Sequence, residues 1–197
     1  PLELTQEIAV ERGQNVDKNQ FEAEFAKHKN LSRTASSGMF KGGLQDQSET
    51  TIKYHTATHL LQAALRKVLG SHVGQKGSNI NGQRLRFDFT HPKALTDDEK
   101  KAVEDQMNAW IRQDLPVTQE LLDKKEALVS GAIAFFVEKY PDTVSVYTIG
   151  NDPQTDWISK EFCGGPHVGH TGEIGAVSLY KEEAVSAGVR RIYVTSA

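Results

Sequence analysis

The sequence has one cysteine, Cys163, among 197 residues. That excludes an internal disulfide framework and leaves the thiol as a buried filler, a reactive group or a metal ligand. Long apolar runs are missing too. No stretch approaches the roughly 18 residues a membrane-crossing helix needs, and no charged-then-apolar leader opens the chain. A cytoplasmic protein with no membrane partner is therefore expected. Nor does charge of one sign dominate: Lys and Arg total 23 against 26 Asp and Glu, a net charge of −3. This excludes coating of nucleic acid through a global positive field, while a local contact through one basic face stays open. With 38% hydrophobic and 25% charged residues, the chain is ordinary in composition and long enough to bury a core. It begins at Pro1 without a methionine and is read as a processed or excised piece of something longer. It has no internal repeat and no low-complexity tract.

Apolar periodicity organises the chain. Leu4, Ile8 and Ala9 before Gly13 predict a short amphipathic helix from Leu4 to Arg12 with a glycine past its end. Asp17 opens a second helix through Arg33, with Phe21, Phe25 and Ala26 on one face. The stretch "SSGMFKGGLQDQSE" is read as a linker, which places a helical segment at residues 1–45 and the main domain at 46–197. Leu60, Leu61, Ala64, Leu65 and Val68 keep helical spacing between Thr50 and Leu69, and Gly70 caps that helix. "RLRFDF" alternates as a half-buried strand. Thr96 and Glu99 form a capping box for a helix that runs through Val103, Met107 and Trp110 and ends before Pro116. Further strands are expected at Val117 to Glu120, Val144 to Ile149, Ile174 to Tyr180 and Arg190 to Thr195. This order predicts an α+β fold, a mixed or antiparallel sheet packed with helices, rather than a doubly wound one.

Chemistry enters at "HTATHLL". His55 and His59 stand one helical turn apart, so both imidazoles can reach one ion. More than a hundred residues on, "CGGPHV" separates Cys163 from His167 by Gly164, Gly165 and Pro166, a segment able to turn a thiolate and an imidazole to one point. The four together make a Cys-His₃ set suited to tetrahedral Zn²⁺. A metalloprotease of the H-E-x-x-H kind needs glutamate after the first histidine, where Thr56 stands. A Cys-His nucleophilic pair stays open, although Cys163 has no basic or helix-terminal setting. A purely structural zinc, closed by four protein ligands, also stays open.

"HTATHLLQAALRKVLGSHVGQKGS", "RLRFDFTH", "LPV", "GAIAFFVEKY", "CGGPHVGHTGEIG" and "SAGVRRI" resemble, in order, the editing domain of alanyl-tRNA synthetase. The likeness runs from about Thr50 to the end. The N-terminal stretch resembles the last helices of that enzyme's tRNA-recognition domain. H-x-x-x-H and C-x-x-x-H are shared with threonyl-tRNA synthetase, whereas "SAGVRRI" points to the alanyl branch.

The resemblance implies hydrolysis of serine or glycine mischarged onto alanine tRNA. A pocket for alanine cannot sterically exclude glycine and rejects serine only weakly, so a second site is needed. It implies Zn²⁺ ligands at His55, His59, Cys163 and His167. It also places Gln75 near the substrate amino acid, where an amide could bond a serine hydroxyl. Thr56 and Thr58 flank the ligands and are read either as substrate contacts or as hydroxyls bonded back to the helix. Lys76, Arg190 and Arg191 are candidate tRNA phosphate contacts, or solvated charges. His72, His91 and His170 are read as surface residues without partners. The implied partners are mischarged tRNA(Ala) and the remainder of a synthetase with its catalytic domain, since no ATP-dependent activation site is visible here. A non-catalytic zinc-stabilised tRNA-binding module and a threonyl-type editing domain are the competing readings.

The sequence departs from the family at four places. Pro166 replaces the usual threonine, removing a backbone donor and a hydroxyl. Val137 replaces a typical glycine. Asn151 to Trp157 is expected to form an extra loop near the pocket. A barrel-like segment usually precedes the first histidine pair, and only the short linker stands there in this chain.

Overall fold

The computed structural model describes residues 9–13, 17–24, 44–135 and 140–197. The chain divides into two compact units, Pro1–Phe40 and Lys41–Ala197, with the division inside the Ser/Gly-rich stretch. In the first unit residues 9–11 and 18–24 are helical. Gly13 at φ 68° ends the first run, and Asp17 caps the second by accepting from the backbone N–H of Asn19 at 2.8 Å. The rest of the two expected helices, most of the linker and Val137 lie outside the described residues.

The second unit is α+β with two antiparallel sheets. Helix α1 is Glu49–Leu69. Ser48 caps it by accepting from Thr51 N–H, Glu49 sits in the first turn and Arg66 and Lys67 in the last, each at the favourable end of the helix dipole. Strands β1 (Gln75–Ile80) and β2 (Leu85–Thr90) form a hairpin. Helix α2, Asp97–Arg112, opens on the Thr96–Glu99 capping box. Strand β3 (Val117–Asp123) leads into the short helix α3 (Lys124–Val129), and β4 (Thr143–Asp152) turns into β5 (Asp156–Phe162). A 3₁₀ turn at Thr171–Ile174 precedes β6 (Val177–Ser186) and β7 (Val189–Ser196).

One sheet has the order β1-β2-β7-β6 and the other β3-β4-β5. The larger core lies between α1, α2 and the four-stranded sheet, with Leu60, Leu61, Leu65, Phe87, Phe89, Met107 and Ile192 fully enclosed. Each such side chain contributes about 1.5–3 kcal/mol as an upper bound. A smaller core joins Ala127 to Val144, Val146 and Phe162 on one face of the three-stranded sheet. Strand alternation then turns Ser145, Tyr147 and Glu161 to the opposite face, Tyr147 and Glu161 being register partners. Tyr54 of α1 accepts from Ser196 N–H at 2.9 Å and so ties β7 to the helix.

Two expectations are corrected. Ile174 lies in the 3₁₀ turn, and the strand begins only at Val177, because Gly175 at φ 77° breaks extended backbone there. Asn151 to Trp157 forms no separate loop: β4 and β5 continue through it and leave Pro153, Gln154 and Thr155 as the turn. Asp152 holds that turn by accepting from Gln154 N–H at 2.7 Å and Thr155 Oγ1 at 2.9 Å. Among the described residues no helix is long and apolar enough to cross a membrane.

Candidate functional site

Every residue of α1 from Tyr54 to Gln62 is buried, so the helix is enclosed on both faces. One face is the apolar core. The other carries Thr51, His55, Thr58, His59, Gln62 and Arg66, which the helical period gathers within about 100° of the circumference. Buried polar groups cost free energy unless they are paired, and most of these find backbone or local partners. Thr51 Oγ1 donates to Asp46 Oδ1 at 2.9 Å, and Thr58 Oγ1 to Tyr54 O at 2.9 Å. Gln62 Nε2 donates to Val73 O at 3.2 Å, and Arg66 Nη1 to Ser71 O and Val73 O, both at 2.8 Å. The histidines differ in that they face side chains brought from the far end of the chain.

Cys163 Sγ lies 3.3 Å from His55 Nε2 and 3.4 Å from His167 Nε2. The four candidate ligand atoms of His55, His59, Cys163 and His167 all fall within 4.8 Å of one another. Glycine is required to bring them together: a Cβ on Gly165 would stand 2.5 Å from His55 Cε1.

The second ring nitrogens have partners of their own. His55 Nδ1 is 2.9 Å from Pro166 O. A carbonyl only accepts, so Nδ1 carries the hydrogen and Nε2 turns its lone pair inward. Pro166 therefore supplies, through its carbonyl, a bond that needs neither an N–H nor a hydroxyl at that position. Thr56 Oγ1 lies 3.1 Å from His167 Nδ1, accepts from Val168 N–H at 3.2 Å and reaches Ile52 O at 3.3 Å. One assignment satisfies all three, with His167 and Val168 donating and the hydroxyl donating to Ile52. His59 Nδ1 stands 3.3 Å from Glu161 Oε2, out of line for a formed hydrogen bond.

Burial governs the protonation of this cluster. It lowers His55 to about 4, and burial together with His55 lowers His59 to about 3. Burial with His59 and His55 takes His167 well below its ordinary value. Burial pushes the Cys163 thiol up to about 12 and Glu161 up to about 8. Three neutral nitrogens and a sulfur thus converge with no cationic side chain among them. The Cys-His₃ set fits a divalent cation, which would release the thiol proton. A tetrahedral ion with ligand distances of about 2.0–2.3 Å places N and S roughly 3.6 Å apart, close to the separations seen.

The remaining sequence-derived candidates are spread over the unit. Thr56 is in the cluster as the partner of His167, while the Thr58 hydroxyl is bonded to its own helix. Gln75 opens β1, and its Nε2 donates to Ser78 Oγ at 3.1 Å. Lys76 is exposed. Arg190 pairs with Glu182, and Arg191 grips Asp88 with two bonds of 2.6 and 2.8 Å, so neither guanidinium is a free solvated charge. His72 and His170 lie at the surface as expected, but all three histidines have partners and His91 is buried. His91 is 5% exposed and lies 2.9 Å from His72 Nε2 through its Nδ1, and His170 Nδ1 is 3.2 Å from Asp114 O. The β1–β2 hairpin brings His72 and His91 together, a pairing that spacing alone does not reveal.

Two residues beside the cluster belong to neither half-motif: Glu161 behind His59 and Tyr147 against His167, the last two rings having centroids 4.1 Å apart. Glu161 stands two before Cys163, so strand alternation would have placed both on one face had β5 been read as a strand. On its other side Glu161 lines a cavity of about 300 Å³ with Gln62, Arg66 and Trp157.

Residues 144–193, which carry half of the cluster, match the family of the threonyl and alanyl tRNA synthetase second additional domain. Alanine–tRNA ligases of Treponema denticola and Treponema pallidum are 54% and 53% identical over 192 residues, covering 98% of this chain and 31% of each relative. The alanine–tRNA ligase of Thermus thermophilus is 54% identical over 142 residues, 72% of this chain and 16% of the relative. The Treponema matches therefore extend through the helical stretch and short linker, and the chain spans about a third of their length. With both half-motifs gathered at one buried site, residues 144–193 match the threonyl and alanyl tRNA synthetase second additional domain family, and the chain as a whole is similar to about a third of an alanine–tRNA ligase.

Proposed function

We propose that this chain is the editing part of an alanine–tRNA ligase, hydrolysing the ester that joins serine, and also glycine, to tRNA(Ala) in the cytoplasm. The observation that carries the reading is the buried convergence of His55, His59, Cys163 and His167 on one point. A fold keeps a buried polar cluster of that kind at a cost, which a bound ion offsets.

His55, His59, Cys163 and His167 would hold Zn²⁺, whose thiolate and imidazole preferences match the set. Bound there, zinc supplies fixed positive charge and Lewis acidity beside the ester. The protein's own residues position and exclude. Pro166 O and Thr56 Oγ1 fix two imidazole planes, and the enclosing α1 and β3-β4-β5 face keep bulk water from the cluster. Gln75, with its Nε2 engaged by Ser78, keeps Oε1 to accept from the serine hydroxyl, a bond that alanine cannot make. Lys76 is the exposed cation of the candidate tRNA contacts, while Arg190 and Arg191 must exchange carboxylate partners to reach phosphate.

The test is release of labelled serine from Ser-tRNA(Ala) by the chain, beside Ala-tRNA(Ala) and Ser-tRNA(Thr), with zinc-stripped and Cys163→Ala samples. Turnover of the first substrate alone, lost with the metal, is expected. Retention of tRNA with zinc bound and no turnover replaces the reading with a binding module, and preference for Ser-tRNA(Thr) replaces it with a threonyl-type editing domain.

A further inference from the structure

Tyr147 stands on the face of β4 that looks toward α1, opposite Glu161 on β5 and Gln119 on β3. Its half-buried ring lies 4.1 Å from that of His167, inclined by 50°. The neighbouring polar side chains on that face are engaged. Glu161 Oε1 accepts from Ser159 Oγ at 3.0 Å, Gln119 Nε2 donates to Ser145 Oγ at 2.8 Å, and Cys163 N–H donates to Ser145 O at 3.0 Å. Tyr147 Oη has no hydrogen-bond partner among the described residues. The oxygen is open to solvent rather than buried, so a ligand can reach it. A phenylalanine would cover His167 equally well, so packing alone leaves the hydroxyl unexplained. The hydroxyl sits on a ring held by the sheet beside His167, a member of the one Cys-His cluster found among the described residues.

We propose that Tyr147 Oη–H donates a hydrogen bond to the carbonyl oxygen of the aminoacyl ester at this site, which makes it a substrate-contacting residue of the hydrolysis. This rests on the editing reading above. Water oxygen bonds to the ester carbonyl carbon, and the C=O electron pair moves onto oxygen, where the bond from Tyr147 strengthens without proton transfer. Collapse re-forms C=O and breaks the bond to the ribose oxygen, which takes up the proton released by the water. The amino acid and the free 3′ end leave.

The experiment compares the chain with its Tyr147→Phe variant in three measurements: bound zinc, kcat and KM for Ser-tRNA(Ala), and affinity for a 3′-serylamido-adenosine that keeps the carbonyl but cannot be hydrolysed. Equal zinc is expected, with kcat down on the order of 10²-fold, KM little changed and analogue affinity several-fold weaker. Wild-type kcat and analogue affinity in the variant overturn the proposal, as does a loss of kcat that only tracks lost zinc. Where the unaltered chain releases no serine, the editing reading fails for this piece, and analogue affinity alone decides for Tyr147. A chain that neither turns over nor binds the analogue overturns both.

Discussion

Gly165→Ala is the smallest change that should empty the candidate metal site. Gly165 is buried, and its ideal Cβ would lie 2.5 Å from His55 Cε1, 3.0 Å from Nδ1 and 3.5 Å from Nε2. Carbon atoms prefer separations of about 3.5–4.0 Å, so the imidazole or the 164–166 turn must retreat by about 1 Å. Neither can do so freely. His55 is 2% exposed and tied to Pro166 O at 2.9 Å, which belongs to the same turn, and Cys163 Sγ is only 3.3 Å from its Nε2. A shift of that size breaks the outer bond and spoils the ligand direction together. Losing one such outer partner typically costs 10–100-fold in metal affinity, and the ligand's own displacement adds to that. Zinc affinity measured by chelator competition should therefore fall by about two orders of magnitude. The control is Gly82→Ala, where an added Cβ meets nothing within 4 Å. Undiminished zinc affinity in Gly165→Ala, with the control also unchanged, would refute the ligand role of His55.

Thr56→Val keeps the side-chain shape and removes the hydroxyl shared by His167 Nδ1, Val168 N–H and Ile52 O. The stranded buried donors should cost about 1–3 kcal/mol in urea unfolding and about tenfold in zinc affinity, and a variant as stable as its parent would dismiss the bridge. In chelator, stability should also decline with acid. His55 at about 4 and His59 at about 3 lie below the ordinary 6.5, so below pH 6.5 the unfolded chain takes up protons that the folded one refuses. Their contribution is fully present above pH 6.5 and is lost as pH falls toward 4, by up to about 1.4 kcal/mol per unit for each proton. Glu161, raised to about 8 from 4.5, opposes this with one proton between pH 8 and 4.5, so the three lowered histidines prevail below 6.5. Urea midpoints that stay level or rise from pH 6.5 to 4.5 would contradict this balance.

The local elements were legible because their signals are local. The helix expected between Thr50 and Leu69 with its Gly70 cap, the Thr96–Glu99 box and the alternation of Leu85, Phe87 and Phe89 each depend on neighbours a few residues away, and each forms. The half-motifs were legible for the same reason: i, i+4 spacing puts His55 and His59 on one face in any helix, and Gly164, Gly165 and Pro166 permit a tight turn in any context. What the tertiary structure decided is what meets what. Asp156–Phe162 has the polar composition of a loop and becomes a strand because β4 offers it a ladder. That pairing, absent from any local window, carries Glu161 to His59, sets Tyr147 over His167 and places Cys163 beside a helix more than a hundred residues earlier. His72 and His91 likewise became a pair only through the β1–β2 register. The sequence determined which groups could bind an ion, since donor chemistry belongs to the residue. The fold alone decided that they converge, because convergence depends on long-range packing and on the one missing Cβ at Gly165 that lets the turn approach the helix.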